Sequence, residues 1–93
     1  MAIETTVHDP AEYLDTPERI AAYLEVSFEE GDIALITHAL GVVARARGMT
    51  QLARDAGVTR EALYKALSSD GDPKLSTLLG VVKGLGLKLR VAA

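Results

Sequence analysis

Apolar residues recur at three- and four-residue intervals along most of this chain, which is the spacing of amphipathic helices. Turn and cap residues divide the pattern into segments. Thr16-Pro17 is a helix-start signal, because a hydroxyl cap precedes proline at the first helical position. Gly31 suits a left-handed helix end, and Asp32 suits the next cap. The pattern predicts five helices, over about 17–28, 33–47, 51–56, 60–67 and 75–85.

The last residues follow a different pattern. Leu87, Leu89 and Val91 alternate with Lys88 and Arg90, which predicts a short strand. A single strand needs a partner for its backbone groups, so we expect it to pair with a second copy of the chain or with a partner protein.

The third and fourth predicted helices have the features of a helix-turn-helix. This motif needs a small residue where the helices cross, glycine in the turn and apolar residues that lock the pair. Ala53 is the small residue, Gly57 is the glycine of the turn, and Val58 is the apolar residue that follows it. The remaining inward positions are also small or apolar: Leu52, Ala56, Leu63 and Ala66.

The fourth helix has a polar side that could read DNA. Thr59 is its predicted cap, and five side chains share an outward arc of about 140° at 100° per residue: Arg60, Glu61, Tyr64, Lys65 and Ser68. Arginine can donate two hydrogen bonds to guanine, and glutamate can accept one from cytosine or instead orient Arg60. We expect Thr50 and Gln51, at the start of the third helix, to lie against the sugar-phosphate backbone. A generic helical hairpin with a polar outer face is the alternative.

The charge is divided unequally between the halves of the chain. Residues 1–40 contain nine acids and one base, a charge of −8, whereas residues 41–93 contain nine bases and four acids, a charge of +5. A basic half suits nucleic acid, and an acidic half suits a basic partner, although the halves could instead attract each other within the fold.

Composition narrows the function further. The 93 residues suit one small domain, and without cysteine there are no disulfides, thiolate zinc sites or cysteine nucleophiles. No apolar run approaches the roughly 20 residues that span a bilayer, and the N-terminus lacks a signal-peptide pattern, so we expect a cytoplasmic protein. We find no catalytic set and no phosphate-binding loop, and we expect no enzyme activity, cofactor or metal.

The segment ARARGMTQLARDAGVTREALYKALSSDGDPKLSTLLGVVKGLGLKL, together with AAYLE and EEGDIALITHALGVV before it, resembles the addiction-module antidote protein family. These are small antitoxins, similar to the HigA type, with a Cro/repressor-like (XRE-type) helix-turn-helix. The resemblance covers about residues 9–90. It implies an all-α fold, which we interpret as a small five-helix bundle with a short C-terminal strand. We expect an acidic N-terminal extension over 1–31 and a helix-turn-helix domain over 32–93.

The resemblance also implies partners. Such antitoxins bind and neutralise a RelE-like toxin that cuts messenger RNA, and repress their own operon as homodimers on operator DNA. Carried over by position, the DNA-contact set is Thr50, Gln51, Thr59, Arg60, Glu61, Tyr64 and Lys65. The acidic half is a candidate dock for the basic toxin, and the C-terminal strand is another, although solvated helix faces explain the same acids. The alternatives are a stand-alone Cro-like regulator without a toxin, and a helical interaction module that does not touch DNA.

Overall fold

The computed structural model describes residues 13–93. Residues 1–12, where the first part of the predicted acidic extension falls, lie outside it. Five helices lie between Pro17 and Gly84, and no strand is present within residues 13–93: α1 Pro17–Glu30, α2 Ile33–Arg47, α3 Met49–Ala56, α4 Arg60–Ala66 and α5 Leu75–Gly84. The prediction of an all-α fold with five helices is confirmed.

The boundary between α1 and α2 follows the predicted local signals. The Thr16 hydroxyl accepts a hydrogen bond from the Arg19 backbone N–H at 3.2 Å. Gly31 ends α1 with φ +73°, in the left-handed region, and Asp32 Oδ1 accepts from the Ala34 N–H at 2.9 Å. These groups satisfy backbone donors and acceptors that a helix end leaves without internal partners.

One aliphatic core joins the helices. Ile20 and Leu24 of α1 are buried in the same cluster as residues of α2, α3, α4 and α5. The largest apolar side chains that are almost wholly buried are Leu14, Ile20, Leu40, Leu63, Val43 and Val81. Since each helix contributes one stripe to this cluster, stability comes from packing rather than from isolated helices.

α5 packs closely against α3. A Cβ atom added to Gly80 would lie 2.6 Å from the Cα of Ala56, and one added to Gly84 would lie 2.9 Å from Leu52 Cδ2. Glycine therefore lets the two helix backbones come together. This contact fixes the position of α3 against α5.

A tight turn joins α3 to α4. Gly57 has φ +73°, and the N–H of Val58 donates to the carbonyl of Ala53 at 3.0 Å. Ala53 is buried, whereas Val58 is only partly buried against the core. The turn directs α4 away from α3 after three residues.

The predicted C-terminal strand is wrong for the single chain. Residues 85–93 contain no strand, and the Leu87 N–H donates instead to the carbonyl of Val82 at 3.0 Å. A strand needs a neighbour for its backbone hydrogen bonds, and residues 13–93 offer no second strand.

Three apolar residues that fit the helical spacing are nevertheless exposed: Ile33 of α2, and Leu75 and Leu79 of α5. His38 of α2 is also exposed. Within the described residues, no helix is both long and apolar enough to cross a membrane.

We predict that Gly80→Ala destabilises the fold by about 1–3 kcal/mol, since the added methyl group must push α5 away from α3. Alanine's higher helix propensity would act in the opposite direction, by up to about 1 kcal/mol. Urea denaturation followed by circular dichroism measures the difference. The exposed Ser76→Ala in the same helix is the control, and a Gly80→Ala protein as stable as Ser76→Ala would contradict the close contact.

Candidate nucleic-acid interface

The orientation of α4 is fixed at its beginning, its middle and its end. The Thr59 hydroxyl accepts from the Ala62 N–H at 3.0 Å, which confirms the predicted cap. Leu63 is fully buried, and a Cβ added to Gly41 of α2 would lie 2.9 Å from the carbonyl oxygen of Leu67. One side of α4 is therefore pinned to the core.

The other side of α4 points to solvent. All five residues of the predicted arc are exposed: Arg60, Glu61, Tyr64, Lys65 and Ser68. Tyr64 keeps 40% of its surface accessible. The structure thus brings this part of the predicted set onto one accessible face.

Arg60 and Tyr64 form a pair that sequence reasoning missed. The Arg60 guanidinium carbon lies 5.4 Å from the centre of the Tyr64 ring, and Nη2 donates to the tyrosine hydroxyl at 3.4 Å. Glu61 makes no ion pair with Arg60 here, since the only ion pair within residues 13–93 is between Arg19 and Asp15. The sequence could have indicated the pairing of Arg60 with Tyr64, because residues four positions apart are neighbours on a helix surface. Arginine has five N–H donors, so this pairing leaves most of them for a ligand.

The end of α4 carries carboxylates that the sequence reasoning also missed. Asp70 and Asp72 line one shallow pocket of about 490 Å³ with Lys65 and Ser68. The Ser68 hydroxyl donates to the carbonyl of Lys65 at 2.8 Å, so its proton is engaged. The negative charge of these two carboxylates disfavours a phosphate group at the end of α4. The first turn and a half of the helix is therefore a more favourable place for an anion. The sequence feature that could have revealed Asp70 and Asp72 is the SSDGDP loop, which directly follows α4.

Thr50 and Gln51 lie in the first turn of α3, as predicted, and both are exposed. No side chain caps this helix, so its first backbone N–H groups have no side-chain acceptor. Gln51 Nε2 donates to Asp55 Oδ1 at 3.1 Å. The amide is thus partly engaged by a carboxylate, which leaves Thr50 and the backbone as the better phosphate donors.

In the part of the chain that the structure describes, the opposite charges of the two halves are not paired with each other. Within residues 13–93, the Arg19–Asp15 pair has Nη1 to Oδ1 at 3.0 Å, and both partners belong to the acidic half. The hypothesis that the halves attract each other through direct ion pairs therefore finds no support in the described part of the chain. Both charges remain at the surface.

The chain belongs to a family of antitoxins. The family model described as "Probable addiction module antidote protein" matches residues 4–93. The chain is also 51% identical over 83 residues to an uncharacterized protein of Haemophilus influenzae (strain ATCC 51907 / DSM 11121 / KW20 / Rd), covering 89% of this chain and 86% of that relative. No solved structure matches it.

We predict that Thr59→Ala destabilises the fold by about 1 kcal/mol, because the first turn of α4 loses its side-chain acceptor. Thr50→Ala is the matched control, since no side chain caps α3. Urea denaturation of both variants measures the difference. Equal stability of the two variants would contradict the capping role.

Proposed function

We propose that the protein is the antitoxin of a type II toxin–antitoxin module and that it binds its own operator DNA through α4. In this proposal the α3–turn–α4 unit is a Cro/repressor-like helix-turn-helix. The observation that carries it is the exposed arc of α4, which includes Arg60 and Tyr64, while Leu63 of the same helix is buried in the core. Recognition helices of this motif contact bases through their N-terminal residues.

The division of labour along the motif follows from the local chemistry. Arg60, held over the Tyr64 ring, is placed to donate to guanine in the major groove. Lys65 contacts phosphate at the edge of the arc, and Thr50 contacts it from α3. Glu61, Thr59, Gln51 and Ser68 complete the proposed DNA-contact set. Asp70 and Asp72 restrict the contact to the first part of α4.

Homodimer formation gives this protein two recognition helices for a palindromic operator. The exposed Leu75 and Leu79 lie one turn apart on α5 and favour such an association, since apolar side chains so arranged gain from burial. Repression of the shared operon follows when the dimer covers its promoter. This activity needs no cofactor and no enzymatic chemistry, and it belongs in the cytoplasm.

Neutralisation of a toxin is the second half of the proposal. Membership of the antidote family supports a toxin partner. A RelE-like toxin must bind RNA and is therefore basic, and the acidic half of this chain has complementary charge. A stand-alone Cro-like regulator would share the DNA-binding face but has no need of this unpaired acidic surface.

We expect the protein to shift DNA from upstream of its own gene in a gel, with an affinity that falls steeply as salt rises. Arg60→Ala should weaken specific binding by about 1–3 kcal/mol, since it removes a base contact. Arg90→Ala is the matched control, because it removes the same charge from an exposed position outside α4. If both variants lose the same affinity for this DNA, the loss is due to charge alone. That result would contradict base reading by Arg60.

The toxin role predicts a genetic rescue. Expression of the basic protein encoded next to this gene should arrest growth, and co-expression of the antitoxin should restore it. The two products should also co-purify through a tag on one of them. The Arg60→Ala variant should rescue as well as the wild type, because α4 is not the proposed toxin surface. Growth arrest that persists despite soluble antitoxin would exclude neutralisation and favour the stand-alone regulator.

A further inference from the structure

A groove between α1 and α2 plays no part in the proposed DNA contact. It has a volume of about 700 Å³. Three exposed apolar residues line it, with accessible fractions of 48% for Tyr13, 63% for Val26 and 41% for Leu35, and Tyr23 is half-buried there. Large apolar side chains gathered at one exposed place mark an interaction surface more often than isolated ones do.

The groove is separate from the proposed DNA-binding face. Its lining comes from α1, α2 and the residue Tyr13 that precedes them, with no contribution from α3, α4 or α5. A partner bound here would not occupy the same residues as DNA.

Two acidic residues lie beside the groove at the end of α1. Glu29 and Glu30 are exposed and lie three and four positions from Val26 of the lining, so they are its neighbours on the helix surface. Glu18 and Glu25 are also exposed, but they line a different groove on the other side of α1. None of them forms an ion pair within residues 13–93. The groove also contains His38 and Arg19, but Arg19 is paired with Asp15 at 3.0 Å.

Three acids of α1 are unfavourably placed within the isolated chain: Glu25, Glu29 and Glu30. Glu25 and Glu29 are four residues apart on one helix, a spacing at which like charges repel. Glu29 and Glu30 occupy the last turn of α1, where the helix dipole disfavours negative charge and no basic residue is present to compensate. A positively charged partner would relieve both effects.

We propose that this α1–α2 groove binds the toxin: an apolar side chain of the toxin fills the groove, and basic residues around it pair with Glu29 and Glu30. The proposal rests on the antitoxin function above and assigns its contact surface. A second copy of this chain is a poorer occupant, because a two-fold contact would bring the same acids against each other. The occupant is therefore a basic protein surface with one apolar projection.

The test measures binding of the purified product of the adjacent reading frame by calorimetry. Val26→Glu should weaken binding at least about tenfold, because it places a charge where an apolar anchor is buried. Val91→Glu is the matched control: the same change at a fully exposed valine outside the groove, in the C-terminal segment that is the rival interface. It should change affinity by less than about twofold. Both variants should still shift operator DNA as the wild type does, which shows that they fold.

The charge component has its own measurement. Replacing both Glu29 and Glu30 by Gln should weaken binding at low salt and reduce its dependence on salt, since two interfacial charges are lost.

The remaining outcomes separate this proposal from the one on which it rests. If the wild-type chain fails to bind the neighbouring product, the toxin role and the groove fall together. If the wild type binds and Val26→Glu binds equally well, only the groove is excluded. A loss confined to Val91→Glu would move the interface to the C-terminal segment. Conversion of a dimer to a monomer by Val26→Glu, with toxin binding unchanged, would assign the groove to self-association and overturn the proposal.

Discussion

The position of α4 and of its exposed side chains depends on the close approach of α5 to α3. Gly80 allows the two backbones to meet at Ala56, with no room for a side chain, and Gly84 lies against the side chain of Leu52. This contact fixes α3 against the core. The turn at Gly57 then sets the position of α4 relative to α3. Because Leu63 is buried on one side, Arg60 and Tyr64 are held outward on the other. The exposed side of this seven-residue helix depends on such support, since so short a helix is not stable alone.

The second organising feature is charge that the fold does not use. An acidic α1 and a basic C-terminal half share one core, yet residues 13–93 contain only the local pair of Arg19 with Asp15. Surface ion pairs contribute little to stability, so their absence costs the fold little. The charges are instead available to partners of opposite sign. Net charge, at −3, conceals this arrangement because it averages an acidic half and a basic half.

Much of the candidate site could be anticipated from spacing alone. The cap at Thr59 and the exposed arc from Arg60 to Ser68 follow from helical periodicity and local hydrogen bonding, which act over a few residues. The contact of Arg60 with the Tyr64 ring depends on rotamers, so spacing permitted it but did not select it over Glu61. The position of Asp70 and Asp72 beside Lys65 depends on the path of a loop, which periodicity does not describe.

The sequence by itself determined the five helices, their order and the boundary between α1 and α2, because caps and apolar periodicity are local properties. Only the tertiary structure decided which apolar residues are covered. Leu75 and Leu79 fit the stripe of α5 but remain exposed, whereas Val81 of the same helix is fully buried. It also decided that residues 87–91 form no strand, because a strand requires hydrogen bonds from a second segment and the described chain provides none. Burial and strand pairing depend on what lies opposite a residue in space, and spacing along the chain does not contain that information.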